Sequence, residues 1–264
     1  MRKKPTVADL RALKGRGQRT MLRVMTLEEA AAAEAAGIDI VSVPDHLVTH
    51  PDYRKVAPTL FSMTGVTHLE AGTRDDYLRW ACKVMNAGAD AVYCSHSPRF
   101  IEAMAQEAIP VTGHVGLVPN RAAWTGFRAV GKTPDEALRV LQSVRDLENA
   151  GAACVEVEVV PVELAAHITR ATPLVTMGMG CGAVCDTQYL FSCDVLGTNT
   201  GRTPRHAKKY ADLAAEEARL QEIRIAAFRA FAADVASGDY PAPQHQVRMD
   251  PEDFDRFLSL AQRL

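Results

Sequence analysis

The stretch CVEVEVV, residues 154–160, alternates apolar residues with Glu156 and Glu158 and runs into Pro161. A period of two predicts a β-strand with both carboxylates on one face. If that face is interior, two acids enter a core, which is costly unless they are paired or functional. Seven similar runs lie around it. RTMLRVM (19–25), IDIVSVP (38–44), PTLFSMTGV (58–66), ADAVYCS (89–95) and IPVTGHVGL (109–117) precede it, and PLVTMGMG (173–180) and QYLFSCDVLG (188–197) follow. Helical patterns fill the gaps. Thr26 and Glu29 predict a capping box for TLEEAAAAEAAG, which Gly37 ends. Helices are predicted over 74–87, about 98–107, from the Thr133 cap with Pro134 and Glu136 behind it, and over 161–171. A long helix, about 204–238, and a short one, about 251–262, close the chain. Eight strands separated mostly by helices predict a (β/α)8 TIM barrel, read as one domain over 1–264 with C-terminal helices. The rival is a doubly wound sheet. It would carry a Gly-rich phosphate loop after its first strand, and none follows residue 25.

At 264 residues and 47% hydrophobic, the chain can bury one large core. A formal net charge of -2 gives no bulk attraction to nucleic acid or anionic lipid. No apolar run approaches a membrane span of about 20 residues. The basic segment MRKKPTVADLRALKGRGQR has no apolar stretch behind it, so it reads as an exposed first helix of a cytoplasmic protein. The six cysteines are scattered. Cys181, Cys185 and Cys193 lack a CxxC pair and read as buried free thiols rather than a metal site.

A barrel of this kind carries its chemistry at the C-terminal ends of the strands. The polar residues expected there are Asp45, His46, His68, Tyr93, Ser95, His96, His114, Glu156, Glu158, Asp186 and Asp194. Glu158 lies nearest its strand end and is the better placed to reach a ligand. Glu156, one step deeper, reads as a structural ion-pair member. His114 sits in GHVGL, between glycines that permit close backbone approach. GMGCG (178–182) lacks the spacing and lysine of a phosphate-binding loop.

Several of these segments resemble one family, ketopantoate hydroxymethyltransferase, within the phosphoenolpyruvate mutase/isocitrate lyase superfamily. VTGHVGLVPN followed by TGFRAVGK is similar to its GHxGLxPQ and GGxxxQG stretch, and EVVPVELAAHIT to its ECVPxxLAxxIT. GMGCGAVCDTQYLFSCDVLG resembles its GIGAGxxxDGQxLVxHDxLG, and GDYPAPQHQV its C-terminal GxFPxxxHSF. The resemblance implies an enzyme forming a C–C bond beside the carbonyl of a small keto acid, 2-oxoisovalerate to ketopantoate, within pantothenate biosynthesis. The one-carbon unit would come from 5,10-methylenetetrahydrofolate, with a divalent metal, usually Mg²⁺, holding the substrate. It also implies a homo-oligomer. In it Glu158 is the acid/base group, His114 a substrate-contacting histidine and Asp45 the first of three metal carboxylates.

The pattern departs at the other positions. The second metal carboxylate falls at Gly65 and the third at Ser95. The substrate-binding lysine falls at Tyr93, and a serine after the first aspartate falls at His46. Mg²⁺ prefers hard oxygen ligands, whereas imidazole suits Zn²⁺, Mn²⁺ or Fe²⁺ better. A rebuilt site would therefore combine Asp45 with His46, His68 and His96. Two other readings stand beside the transferase: a superfamily lyase or hydrolase acting on a different small carboxylate, and a non-catalytic metabolite-binding barrel.

Overall fold

The computed structural model describes residues 2–66, 71–201 and 203–263, in two compact units, one ending at Ala211 and the other beginning at Asp212. The first unit begins with α1 (Val7–Ala12), β1 (Arg19–Arg23), α2 (Leu27–Ala35) and β2 (Ile40–Pro44). Two single-turn helices, α3 (Asp45–Val48) and α4 (Tyr53–Val56), lead to β3 (Phe61–Gly65), α5 (Arg74–Asn86), β4 (Ala91–Tyr93) and α6 (Pro98–Gln106). Then come β5 (Val111–Gly116), α7 (Ala122–Thr125), α8 (Pro134–Asn149), β6 (Cys154–Glu158) and α9 (Val162–Ala171). The unit's last elements are β7 (Val175–Met179), β8 (Thr187–Phe191) and α10 (Ser192–Leu196). The eight strands are parallel and close on themselves in sequence order, giving a (β/α)8 barrel.

Strand alternation separates two cores. Outward residues such as Val41, Val43, Val155 and Val157 meet Ile101, Val144 and Ile168 of the surrounding helices. Inward residues, among them Met21, Ile40, Phe61, Met63, Cys154, Met177 and Tyr189, fill the barrel, with Leu10 of α1 packed against them. Burying each large side chain of this kind stabilises by about 1.5–3 kcal/mol. On β6 the pattern places Val155 and Val157 against the helices and leaves Cys154, Glu156 and Glu158 facing the interior. The alternation expected of CVEVEVV is therefore the one the barrel uses.

Three local expectations are corrected. Thr26 accepts the Glu29 N–H, but the Glu29 carboxylate accepts from Met25 N and the Ser192 hydroxyl, so the capping box does not close. The eighth strand ends at Phe191, because Ser192–Leu196 turns into a short helix that Gly197 terminates at φ +72°. The long helix starts at Leu213 rather than near 204, where the Asp212 side chain caps the Ala215 N–H. The cysteines are free thiols. Cys181 and Cys185 are buried with Sγ atoms 3.6 Å apart, but Cys82 is exposed and Cys193 half-buried.

The second unit contains α11 (Leu213–Ser237) and α12 (Pro251–Ala261), whose apolar side chains Leu220, Ile223, Phe228, Phe231, Phe254, Phe257 and Leu258 are exposed. Among the described residues, no helix is long and apolar enough to cross a membrane.

One glycine governs the end of β5. Gly116 has φ +90°, and a Cβ there would lie 2.2 Å from the Glu158 carbonyl oxygen, which accepts the Leu117 N–H at 2.8 Å. Gly116→Ala adds left-handed strain to overpacking against the strand carrying Glu158. It is expected to destabilise by roughly 2–5 kcal/mol, measurable by urea melts; an unchanged midpoint would contradict this account.

Candidate active site

At the C-terminal mouth of the barrel lies a cavity of about 410 Å³. Its wall takes Arg23 from β1, Ser42 from β2, Asp45 and His46 from α3, and Gly65 from β3. It takes Tyr93 from β4, His114 from β5, Glu156 and Glu158 from β6, and Tyr189 from β8. Every strand residue here has inward parity, which is why side chains distant in sequence meet.

His114 is the hub. Its Nδ1 shares a 2.7 Å hydrogen bond with the Tyr93 hydroxyl and lies 3.7 Å from Glu156 Oε2. Its Nε2 lies 3.1 Å from Glu158 Oε2 without making a hydrogen bond to any described residue. Gly113 and Gly116 allow the close packing expected of GHVGL, since a Cβ on Gly113 would run into Leu147 at 2.6 Å.

The two glutamates are 5% and 8% exposed, so both lie within the barrel. Burial pushes the Glu156 carboxyl up to about 7; His114 opposes that rise, the Glu158 charge adds to it, and Arg23 opposes it most weakly. Near neutrality Glu156 thus holds a proton part of the time. The basic side chain that approaches it is His114, whose Nδ1 lies 3.7 Å away. Tyr93 is kept protonated well above the usual phenol range, first by burial and then by the Glu156 charge. Directly after Glu158, Val159 adopts φ +49°. A β-branched residue takes that conformation at a cost, and such strain concentrates at functional sites.

The expected site residues separate into two groups. Asp45, His46, Tyr93, His114 and Glu158 line one cavity. Ser95 is buried near it and accepts a 2.6 Å hydrogen bond from the Asn120 amide. His96 is not part of the cavity wall: its Nδ1 bonds the Tyr77 hydroxyl at 2.8 Å and its ring packs on Phe100, tying it to α5 and α6. His68 lies outside the described residues. Asp186 sits at the opposite end of the barrel, just before β8, where it pairs with Lys14 and caps Thr176. Asp194 lies on α10 and accepts from Asn199.

The described side chains do not build the three-carboxylate metal site that the resemblance implies. Asp45 turns Oδ1 to the His46 N–H at 2.7 Å. At Gly65 a Cβ would meet Tyr93 Cδ1 at 2.8 Å, so the tyrosine ring fills the space a carboxylate there would need. The exchanges at 65 and 93 are thus one steric event: with tyrosine at 93, a side chain at 65 has no room. Among the described residues, no group of three or more His, Cys, Asp or Glu is arranged to hold a metal ion; His68, a member of the histidine-rich alternative, lies outside them. Pairwise ligand types were legible in the sequence, but convergence was not.

Three polar residues on the cavity wall escaped the sequence reading: Arg23, Ser42 and Tyr189. Each has the inward parity of a buried neighbour on its strand, Met21 for Arg23, Ile40 for Ser42 and Thr187 for Tyr189. Period-two counting on RTMLRVM could have found the first of them.

A profile of the ketopantoate hydroxymethyltransferase family matches residues 54–243. The 3-methyl-2-oxobutanoate hydroxymethyltransferase of Pyrobaculum islandicum is 34% identical, over 93% of this chain and 99% of its own. That of Chloroflexus aurantiacus is 33% identical, over 93% and 94%. The 3-methyl-2-oxobutanoate hydroxymethyltransferase 1 of Methylibium petroleiphilum is 29% identical, over 99% and 95%. In fold alone, the chain is similar to the phosphoenolpyruvate phosphomutase of Streptomyces platensis subsp. rosaceus. The TM-score is 0.53 at 15% identity, covering 98% of this chain and 99% of that one.

Proposed function

The chain belongs to the ketopantoate hydroxymethyltransferase family, and on that premise we propose that it is a transferase forming a C–C bond next to the carbonyl of a 2-oxo acid. The substrate is 3-methyl-2-oxobutanoate (2-oxoisovalerate), the product ketopantoate, and the one-carbon donor 5,10-methylenetetrahydrofolate. The observation that carries this reading is the Glu158 carboxylate on the cavity wall, 3.1 Å from a His114 nitrogen that makes no hydrogen bond to any described residue.

In this reading Glu158 takes the C3 proton of the 2-oxo acid, and the C–H electron pair moves to give an enolate with its charge on the keto oxygen. His114, held by Tyr93 and with Nε2 making no hydrogen bond to a described residue, would donate to that oxygen, and a preorganised donor there stabilises charge as it develops. The enolate carbon then bonds to the donor's methylene carbon. The donor's two C–N bonds break with their electron pairs on nitrogen: one nitrogen takes the proton that Glu158 removed, and the other takes a proton from the water whose oxygen becomes the hydroxyl. No step runs through a metal, since the described residues do not make its site.

Incubating the purified protein with 2-oxoisovalerate and methylenetetrahydrofolate should yield ketopantoate. Folded protein with neither turnover nor C3 proton exchange would overturn the reading. One observation favours a second reading, a lyase or hydrolase on another small carboxylate. Tyr93 stacked over Gly65 changes the site's charge and shape together, and product analysis separates the two.

We further propose a cytoplasmic homo-oligomer. The apolar side chains exposed on α11 and α12 support it, because exposed apolar patches of this kind mark association surfaces. Light scattering should give a mass that is a multiple of the 28.7 kDa chain; a monomer at micromolar concentration would refute it.

A further inference from the structure

We infer that Arg23, the last residue of β1, is the anchor for the substrate's carboxylate, gripping it across the cavity from Glu158. The inference rests on the 2-oxo acid reading and adds to it the residue that recognises the anionic end. Among the described residues lining the cavity, Arg23 is the one permanent cation, facing Asp45, Glu156 and Glu158. Its side-chain partners are neutral: Nη1 donates to the Ser42 hydroxyl at 3.1 Å, and the Tyr189 hydroxyl is a second hydrogen-bonding neighbour, whereas no described carboxylate lies within 4.0 Å of it. A half-buried guanidinium with five N–H donors and only neutral hydroxyls beside it is a costly arrangement unless something anionic completes it. A planar carboxylate matches its fork with two parallel hydrogen bonds.

The position is also chemically consistent. The lysine that the resemblance places on β4 is Tyr93, so that wall lacks its cation. Arg23 supplies one from β1, close enough for its charge to reach both Glu156 and Tyr189. A short 2-oxo acid held this way directs its carboxylate to the β1 side and its C3–H to the β6 side, with the keto oxygen between them, toward His114.

The test is calorimetric binding and steady-state kinetics on the full chain, with wild type, Arg23→Gln, Arg23→Lys and Arg23→Ala, each checked for a cooperative melt. The ligands are 2-oxoisovalerate, its uncharged primary amide, and a set of small monocarboxylates lacking the keto group. Arg23→Gln should weaken 2-oxoisovalerate binding roughly 10–100-fold. The rise should fall mainly on KM, and amide binding should not change. Arg23→Lys should lie between, since it keeps the charge and loses the fork. Sub-denaturing guanidinium should partly restore Arg23→Ala. Wild-type-like binding of 2-oxoisovalerate by folded Arg23→Gln would overturn the anchor and leave the transferase reading intact. Arg23-dependent binding of other carboxylates, with no affinity for 2-oxo acids, would support the anchor and sink that reading. A wild type that binds no carboxylate would overturn both.

Discussion

Glu158→Gln should abolish C3 proton exchange of 2-oxoisovalerate in deuterated water and reduce ketopantoate formation by roughly 10²–10⁴-fold, the usual contribution of a positioned general base. The substitution keeps volume and removes the lone pair that accepts the proton. Binding of the 2-oxo acid should survive, because the proposed Arg23 anchor lies on another strand of the cavity wall. The exchange reaction is the sharper readout, since it needs no folate and isolates the first step. His114→Ala should slow both reactions less than Glu158→Gln. It removes a donor to the developing oxyanion and unties Tyr93, but leaves the base in place. Exchange by Glu158→Gln at the wild-type rate would remove Glu158 from the mechanism.

Glu156→Gln should change stability rather than proton exchange, and its effect should depend on pH. In the folded barrel Glu156 is raised from 4.5 to about 7, chiefly by burial. The unfolded chain releases this proton near 4.5, so between 4.5 and 7 the native state binds more proton than the unfolded one. By linkage, this group's contribution to stability falls as pH rises through that window and stays low above it. At about 1.4 kcal/mol per pKa unit the whole effect is of order 3 kcal/mol. Glutamine mimics the protonated acid and cannot ionise. The variant should match wild type near pH 5 and exceed it by up to that amount near pH 8, measured by urea melts across the range. Parallel stability profiles would mean that Glu156 ionises as freely in the barrel as in water.

The placement of Glu158 and His114 was readable because it depends on periodicity. Two glutamates two apart must share a face, and a strand of a closed barrel has only an inner and an outer one. The departures at Tyr93 and Gly65 were readable as separate losses, but not as one exchange. That a tyrosine ring fills the space over a glycine is a contact between neighbouring strands. The position of His96 was hidden for a related reason. His96 has the ligand chemistry, yet the turn after β4 sends it between Tyr77 and Phe100, and nothing local in YCSHSP reports that direction.

The amino-acid pattern by itself determined a closed eight-stranded barrel, because strand and helix periods alternate along the chain. It also determined that Glu156 and Glu158 share one face of a strand, with 158 nearer the strand end, because side chains on a strand alternate. Tertiary structure alone decided which inward residues meet at the mouth. Arg23, Tyr93, His114 and Glu158 come from four strands, and barrel closure and register, which no single segment encodes, bring them onto one cavity wall. The same closure buries Glu156 beside Glu158 and so raises its proton affinity, an effect of desolvation and neighbouring charge that exists only once the strands have assembled.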